Sequence, residues 1–106
     1  MNSEIKEWKL IPKERAEEIR GMPLSFRLQR IRLWQGCTQM QFAKMVGVSQ
    51  TTVAAWELGR NIPNDSRLEQ IRLNCGLPMD YFIDAKIVRL KLGRQKRVPK
   101  DKKDGE

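Results

Sequence analysis

The sequence predicts an all-α fold, with one compact five-helix domain over 24–83, an N-terminal arm over 1–23 and a basic C-terminal extension over 84–106. Three observations predict it. Apolar residues are densest between Leu24 and Ile83 and recur there at helical spacing, with no convincing strand in that stretch. Glycines and capping residues cut the stretch into short segments. Helices below ~12 to 15 residues are marginal alone in water, so these segments must share one core. A chain of 106 residues suffices for one such domain with tails and is too short for two ordinary ones.

In the arm, a helix is expected from Pro12, with Ala16, Ile19 and Met22 on one side and Lys13 and Glu17 at i, i+4. Trp8, Leu10 and Ile11 add apolar area before it, and the arm either packs back on the domain or joins two subunits. The first domain helix carries Leu24, Leu28 and Ile31 at i, i+4, i+7, has Arg27, Arg30 and Arg32 as its polar side, and ends at Gly36. Thr38-Gln39-Met40-Gln41 has the capping-box pattern, which starts a second helix running to about Val46. Gly47 supplies a left-handed turn, and Ser49 caps a third helix with Val53 and Trp56 facing inward and a stop at Gly59. After the loop over 60–64, Ser66-Arg67-Leu68-Glu69 reads as a second capping box, opening a fourth helix that buries Leu68, Ile71 and Cys75 and closes at Gly76 and Pro78. Met79 to Ile83 forms a short fifth helix whose Tyr81 and Phe82 cap the core.

Twenty-one Lys and Arg against thirteen Asp and Glu give a formal net charge of +8, a field that attracts polyanions. The excess sits at the C-terminus, where 84–106 carries nine basic residues against four acidic. Val88, Leu90 and Leu92 alternate with Arg89 and Lys91, so this segment either pairs as a strand with a second subunit or is a frayed or helical tail. Gly93 to Lys103 reads as disordered, tracking phosphates or simply solvated. With two separated cysteines, Cys37 and Cys75, and no His, no metal site can be assembled from the usual ligands, and no cofactor is expected. Both cysteines have apolar neighbours, which favours reduced core thiols over a disulfide. No run approaches the ~20 apolar residues of a membrane span, and the start lacks a secretory pattern, so a cytoplasmic location without membrane contact is expected.

Two short helices joined by a tight Gly turn, the second with a polar outward face, let one helix cross a phosphate backbone while the next enters the major groove. Ala43 is small enough for close helix packing, Gly47 makes the turn, and Val48 and Val53 fasten the pair to the core. Gln50, Thr51, Thr52 and Ala55 remain outward, uncharged and of a size to meet base edges. Over Leu24 to Ile83 the sequence resembles the lambda-repressor-like, or Xre-like, helix-turn-helix family. The resemblance rests on Arg32, the Thr38-Gln39 opening, Ala43, Gly47-Val48-Ser49, Trp56-Glu57-Leu58-Gly59-Arg60 with Pro63, and the Gly76 to Phe82 close.

The resemblance implies that Gln39 and nearby amides hold a phosphate, that Gln50 and Thr51 face bases, and that Ser49 and Thr52 reach phosphate. It implies the same phosphate role, or an approach to the next groove, for Arg60 and Asn61. Ala55 departs from the longer polar side chain of many relatives and leaves only an apolar contact there. Arg32 and Glu57 match a charged pair that bridges two helices in the family. The function expected is sequence-specific double-stranded DNA binding by a homodimeric transcriptional repressor on an inverted repeat, with relief by concentration or by a partner such as an anti-repressor. The alternatives are an antitoxin that represses its own operon while holding a toxin, and a protein-interaction adaptor on the same fold. Enzymatic arrangements are missing: no His, no paired acids and no phosphate-cradling Gly loop.

Overall fold

The computed structural model describes residues 6–85 and 87. Five helices follow in order: α1 (Lys13–Glu18), α2 (Leu24–Trp34), α3 (Gln39–Val46), α4 (Gln50–Glu57) and α5 (Asp65–Cys75), with further helical residues over 83–85 and no strand among the described residues. The C-terminal strand expected from Val88, Leu90 and Leu92, and the basic run after it, lie outside the described residues.

Helix α4 packs mainly on α3 and also against α2, while α3 rests on α5. Ile31, Phe42, Val46, Val53, Trp56, Leu68, Ile71 and Cys75 form the centre of the core, closed below by Leu77, Tyr81 and Phe82. The two cysteines are free and buried. Burial pushes the Cys37 thiol up from its ordinary range and the Cys75 thiol up to about 12, so both stay protonated at neutral pH.

The arm packs against this domain. The Trp8 ring meets Phe42 edge-on at 5.6 Å, and the Ile11 N–H donates to the Cys75 carbonyl at 2.9 Å. Buried Gln35 grips the main chain of Lys9 from both sides, accepting from its N–H at 2.7 Å and donating to its carbonyl at 2.8 Å. Tyr81 donates its hydroxyl to the Ala16 carbonyl at 2.7 Å, tying α1 to the C-terminal turn. Ala16 and Ile19 are buried as the spacing requires, whereas Met22 is exposed. Glu17 bonds Arg20 rather than Lys13, and the Arg20 hydrogen bond holds its carboxyl below the usual range.

Three further expectations are corrected. Arg27 does not belong to a polar side: it is fully buried, donating to the carbonyls of Met22 and Tyr81 at 2.8 Å each and to the Asp84 carboxylate. The helical period explains this, because Leu24, Arg27, Leu28 and Ile31 stand at i, i+3, i+4, i+7, one continuous face. The cap of α5 is Asn64 and not Ser66, its side chain accepting from the Arg67 N–H at 2.8 Å. That start puts buried Pro63 and Leu68 at the spacing of a hydrophobic staple and Asp65 in the first turn, where its charge suits the helix dipole. Residues 79–82 form turns rather than a helix, with Tyr81 N–H bonding Pro78 and Ile83 N–H bonding Asp80. These bonds, and that of the Ala85 N–H to Phe82, each span three residues rather than the four of an α-helix, and regular helix begins only at 83.

Candidate nucleic-acid interface

The pair α3–α4 is built from local signals. Thr38 accepts from the Gln41 N–H at 3.1 Å while Gln41 accepts from the Thr38 N–H at 2.9 Å, a complete capping box at the start of α3. The N–H groups of Gln39 and Met40 stand in the first turn, where a helix has no acceptor of its own. At the other end Gly47 adopts φ +91°, and the Ala43 carbonyl receives both the Gly47 and Val48 N–H groups. A β-carbon in this left-handed conformation costs about 1 kcal/mol or more, so Gly47 sets the angle at which α4 leaves α3.

Ser49 then caps α4, accepting from the Thr52 N–H at 3.1 Å, with its hydroxyl 2.9 Å from that of Thr52. Val53 and Trp56 are buried. Gln50 and Thr51 are exposed at the front of the helix, and Ala55 is half-buried behind them. Gly59, at φ +78°, lets the Arg60 N–H fold back onto the Ala55 carbonyl at 2.9 Å while its own N–H bonds Trp56. This Schellman closure sets exposed Arg60 and Asn61 immediately beyond the end of α4.

Behind the front of α4 runs a chain of side-chain hydrogen bonds. Arg32 of α2 donates to both Glu57 oxygens, at 2.6 and 3.1 Å, and to the Cys37 carbonyl at 2.8 Å. The two side chains are 12% and 5% exposed, so the pair is largely out of water. Gln39 donates to Glu57 at 3.0 Å and accepts from the Gln50 side-chain amide at 2.8 Å. The polarity of this chain is forced. An ionised carboxylate only accepts, so Glu57 takes the Gln39 NH2; the Gln39 oxygen then faces Gln50 and takes its NH2 in turn. Gln50 is left with its carbonyl oxygen and one N–H, the acceptor and donor pair that a bidentate contact with adenine requires.

The structure therefore brings Gln39, Gln50, Glu57 and Arg32 into one network and pairs Ser49 with Thr52. Thr51, Ala55, Arg60 and Asn61 stand on or beside the same helix without joining it. Sequence reading missed Arg67, which donates to the Val46 carbonyl at 3.0 Å and lines a shallow groove with Thr52, Asn61 and Asn64 beside α4. The signal was the Asn64 cap, which places Arg67 in the first turn of α5, beside the α3–α4 turn.

A short helix crossing behind a second one with an uncharged, exposed front defines a DNA-binding domain of the helix-turn-helix class. The helix-turn-helix family model matches residues 28–82, more than half of the chain. The protein belongs to the Xre and lambda-repressor-like helix-turn-helix family, a family of sequence-specific DNA-binding transcription regulators that are typically not enzymes. Comparisons with curated proteins and with solved structures returned no match. No helix among the described residues is long and apolar enough to cross a membrane.

Proposed function

We propose that the chain is a cytoplasmic transcriptional repressor that binds an inverted-repeat operator as a homodimer, with residues 24–83 as the DNA-binding unit. Helix α4 enters the major groove, where Gln50 and Thr51 face base edges and Ala55 touches a thymine methyl group. Ser49, Thr52, Arg60 and Asn61 meet phosphates on either side, and the N-terminal N–H groups of α3 together with Gln39 hold another. Repression follows from occupying a promoter. Two-fold symmetry places the half-sites about 34–36 Å apart, one turn of duplex.

The observation that carries this reading is the forced orientation of Gln50. A glutamine free in solution samples several orientations; one held by Gln39 and Glu57 presents a fixed donor and acceptor. The test is selection of bound duplexes from a random library at near-physiological salt, which weakens sequence-independent phosphate attraction. An enriched inverted repeat with adenine opposite Gln50 supports the proposal. Binding without enrichment, lost steeply as salt rises, would overturn it.

A further inference from the structure

We propose that the groove between α1 and α2 is a docking site for an acidic segment of a partner protein, one that alternates carboxylates with aromatic or aliphatic side chains. Arg15 and Glu18 of α1, Ile19 at its end, and Phe26, Arg30 and Trp34 of α2 line it. The three α2 residues stand at i, i+4, i+8 and form one stripe. Their two rings are half-buried, so each offers a face or an edge to a visitor.

Both arginines lie within cation–π reach of these rings. The Arg15 guanidinium lies 5.4 Å from the Trp34 ring centre and that of Arg30 lies 5.2 Å from Phe26. Such a contact leaves the guanidinium N–H groups available to a carboxylate fork. Arg20, Arg27, Arg32 and Arg72 all have carboxylate partners. Among the described residues, Arg15 and Arg30 have none. Glu18 is the one acid in the lining, so two cations face one anion and the groove is complementary to negative charge.

The position of the stripe argues for a protein rather than the duplex. Ser25 lies 4.0 Å from the point where a β-carbon on Gly59 would stand, and Arg32 bonds Glu57, so positions 25 and 32 of α2 face α4. At 3.6 residues per turn, positions 26, 30 and 34 lie roughly 100 to 180° around the helix from position 25. The groove thus opens away from the reading helix, and a partner seated there leaves α4 uncovered.

The test is NMR titration of the full chain, free and bound to its selected duplex, with a short peptide alternating Glu with Phe and Leu, and with its counterpart carrying Lys for every Glu. The acidic peptide should shift the Trp34 indole and the Arg15 and Arg30 side-chain N–H signals, leave Gln50 and Thr51 unmoved, and bind the DNA-bound chain as well as the free one. R15Q/R30Q should weaken it about tenfold or more, and E18Q, which removes the one opposing charge, should tighten it. Equal binding of the Lys peptide, shifts centred on α4, displacement by DNA, no shift at millimolar peptide, or undiminished binding by R15Q/R30Q would each overturn the proposal.

Discussion

Helix α2 carries two arginines less than two turns apart, the buried Arg27 and the largely buried Arg32, and their surroundings separate the two halves of the molecule. Arg27 faces the arm and the C-terminal turn. Its acceptors are two carbonyls and Asp84, a carboxylate that is itself 61% exposed. Arg32 faces α4, and its partner Glu57 is out of water with it and is bonded on to Gln39. The first arginine fastens backbone to backbone. The second holds an acid whose remaining valence orients an amide on the surface. One side chain type therefore closes the fold at one end of α2 and prepares a reading residue at the other, and what differs is where the neutralising carboxylate sits.

The largest effect on DNA binding should come from E57Q. It leaves the Arg32 charge largely buried without an anion, at a cost of about 3 to 5 kcal/mol in urea unfolding, and it turns one of the two acceptor oxygens that Arg32 and Gln39 share into a donor. Binding to the selected duplex should fall even at temperatures where the variant is folded. R27M removes its own charge, so only the stranded carbonyls count, at about 1 to 3 kcal/mol each, and DNA affinity of the folded variant should be unchanged. If R27M impaired binding as much as E57Q, the separation of the two halves would fail. Q50A should leave the melting temperature in place and lower affinity for the selected site by about 1 to 3 kcal/mol in a fluorescence titration, with most of the loss absent on a site lacking adenine.

D84N should cost less than about 1 kcal/mol, because the carboxylate it neutralises is largely in water. A cost comparable to R27M would show that the Asp84 charge, and not the carbonyls, holds Arg27. A separate effect is alkaline. Burial raises the folded thiols, with Cys75 near 12, and also raises the Tyr81 hydroxyl. The unfolded thiols release their protons near ~8.5, so the folded state binds more protons above that pH. The stability present below it should decline as pH rises toward 12, measurable as a falling urea midpoint.

The contrast also explains what was legible in the sequence. Thr38, Gly47 and Ser49 announce their structures because each acts within four residues, on its own turn of backbone. Arg27 reads as polar surface although its spacing from Leu24, Leu28 and Ile31 places it on the buried face; what makes that burial tolerable is Tyr81 and Asp84, more than fifty positions away. The pairing of Arg32 with Glu57 came from family resemblance, whereas the onward bonds from Glu57 to Gln39 and from Gln39 to Gln50 have no sequence signature, since any polar residues at those positions look alike. Ser66 reads as the cap because Glu69 completes a capping-box pattern three residues on, whereas the buried Pro63 and Leu68 on either side of the helix start suit a cap at Asn64.

The hold of Gln35 on residue 9 has a consequence for how such a protein can change. Its amide bonds the N–H and the carbonyl of Lys9 and asks nothing of the lysine side chain. Any residue except proline, which lacks the N–H, satisfies the same two bonds. Position 9 is therefore open to substitution while its backbone stays pinned, so the arm can acquire new surface chemistry over generations without loosening its attachment to the domain.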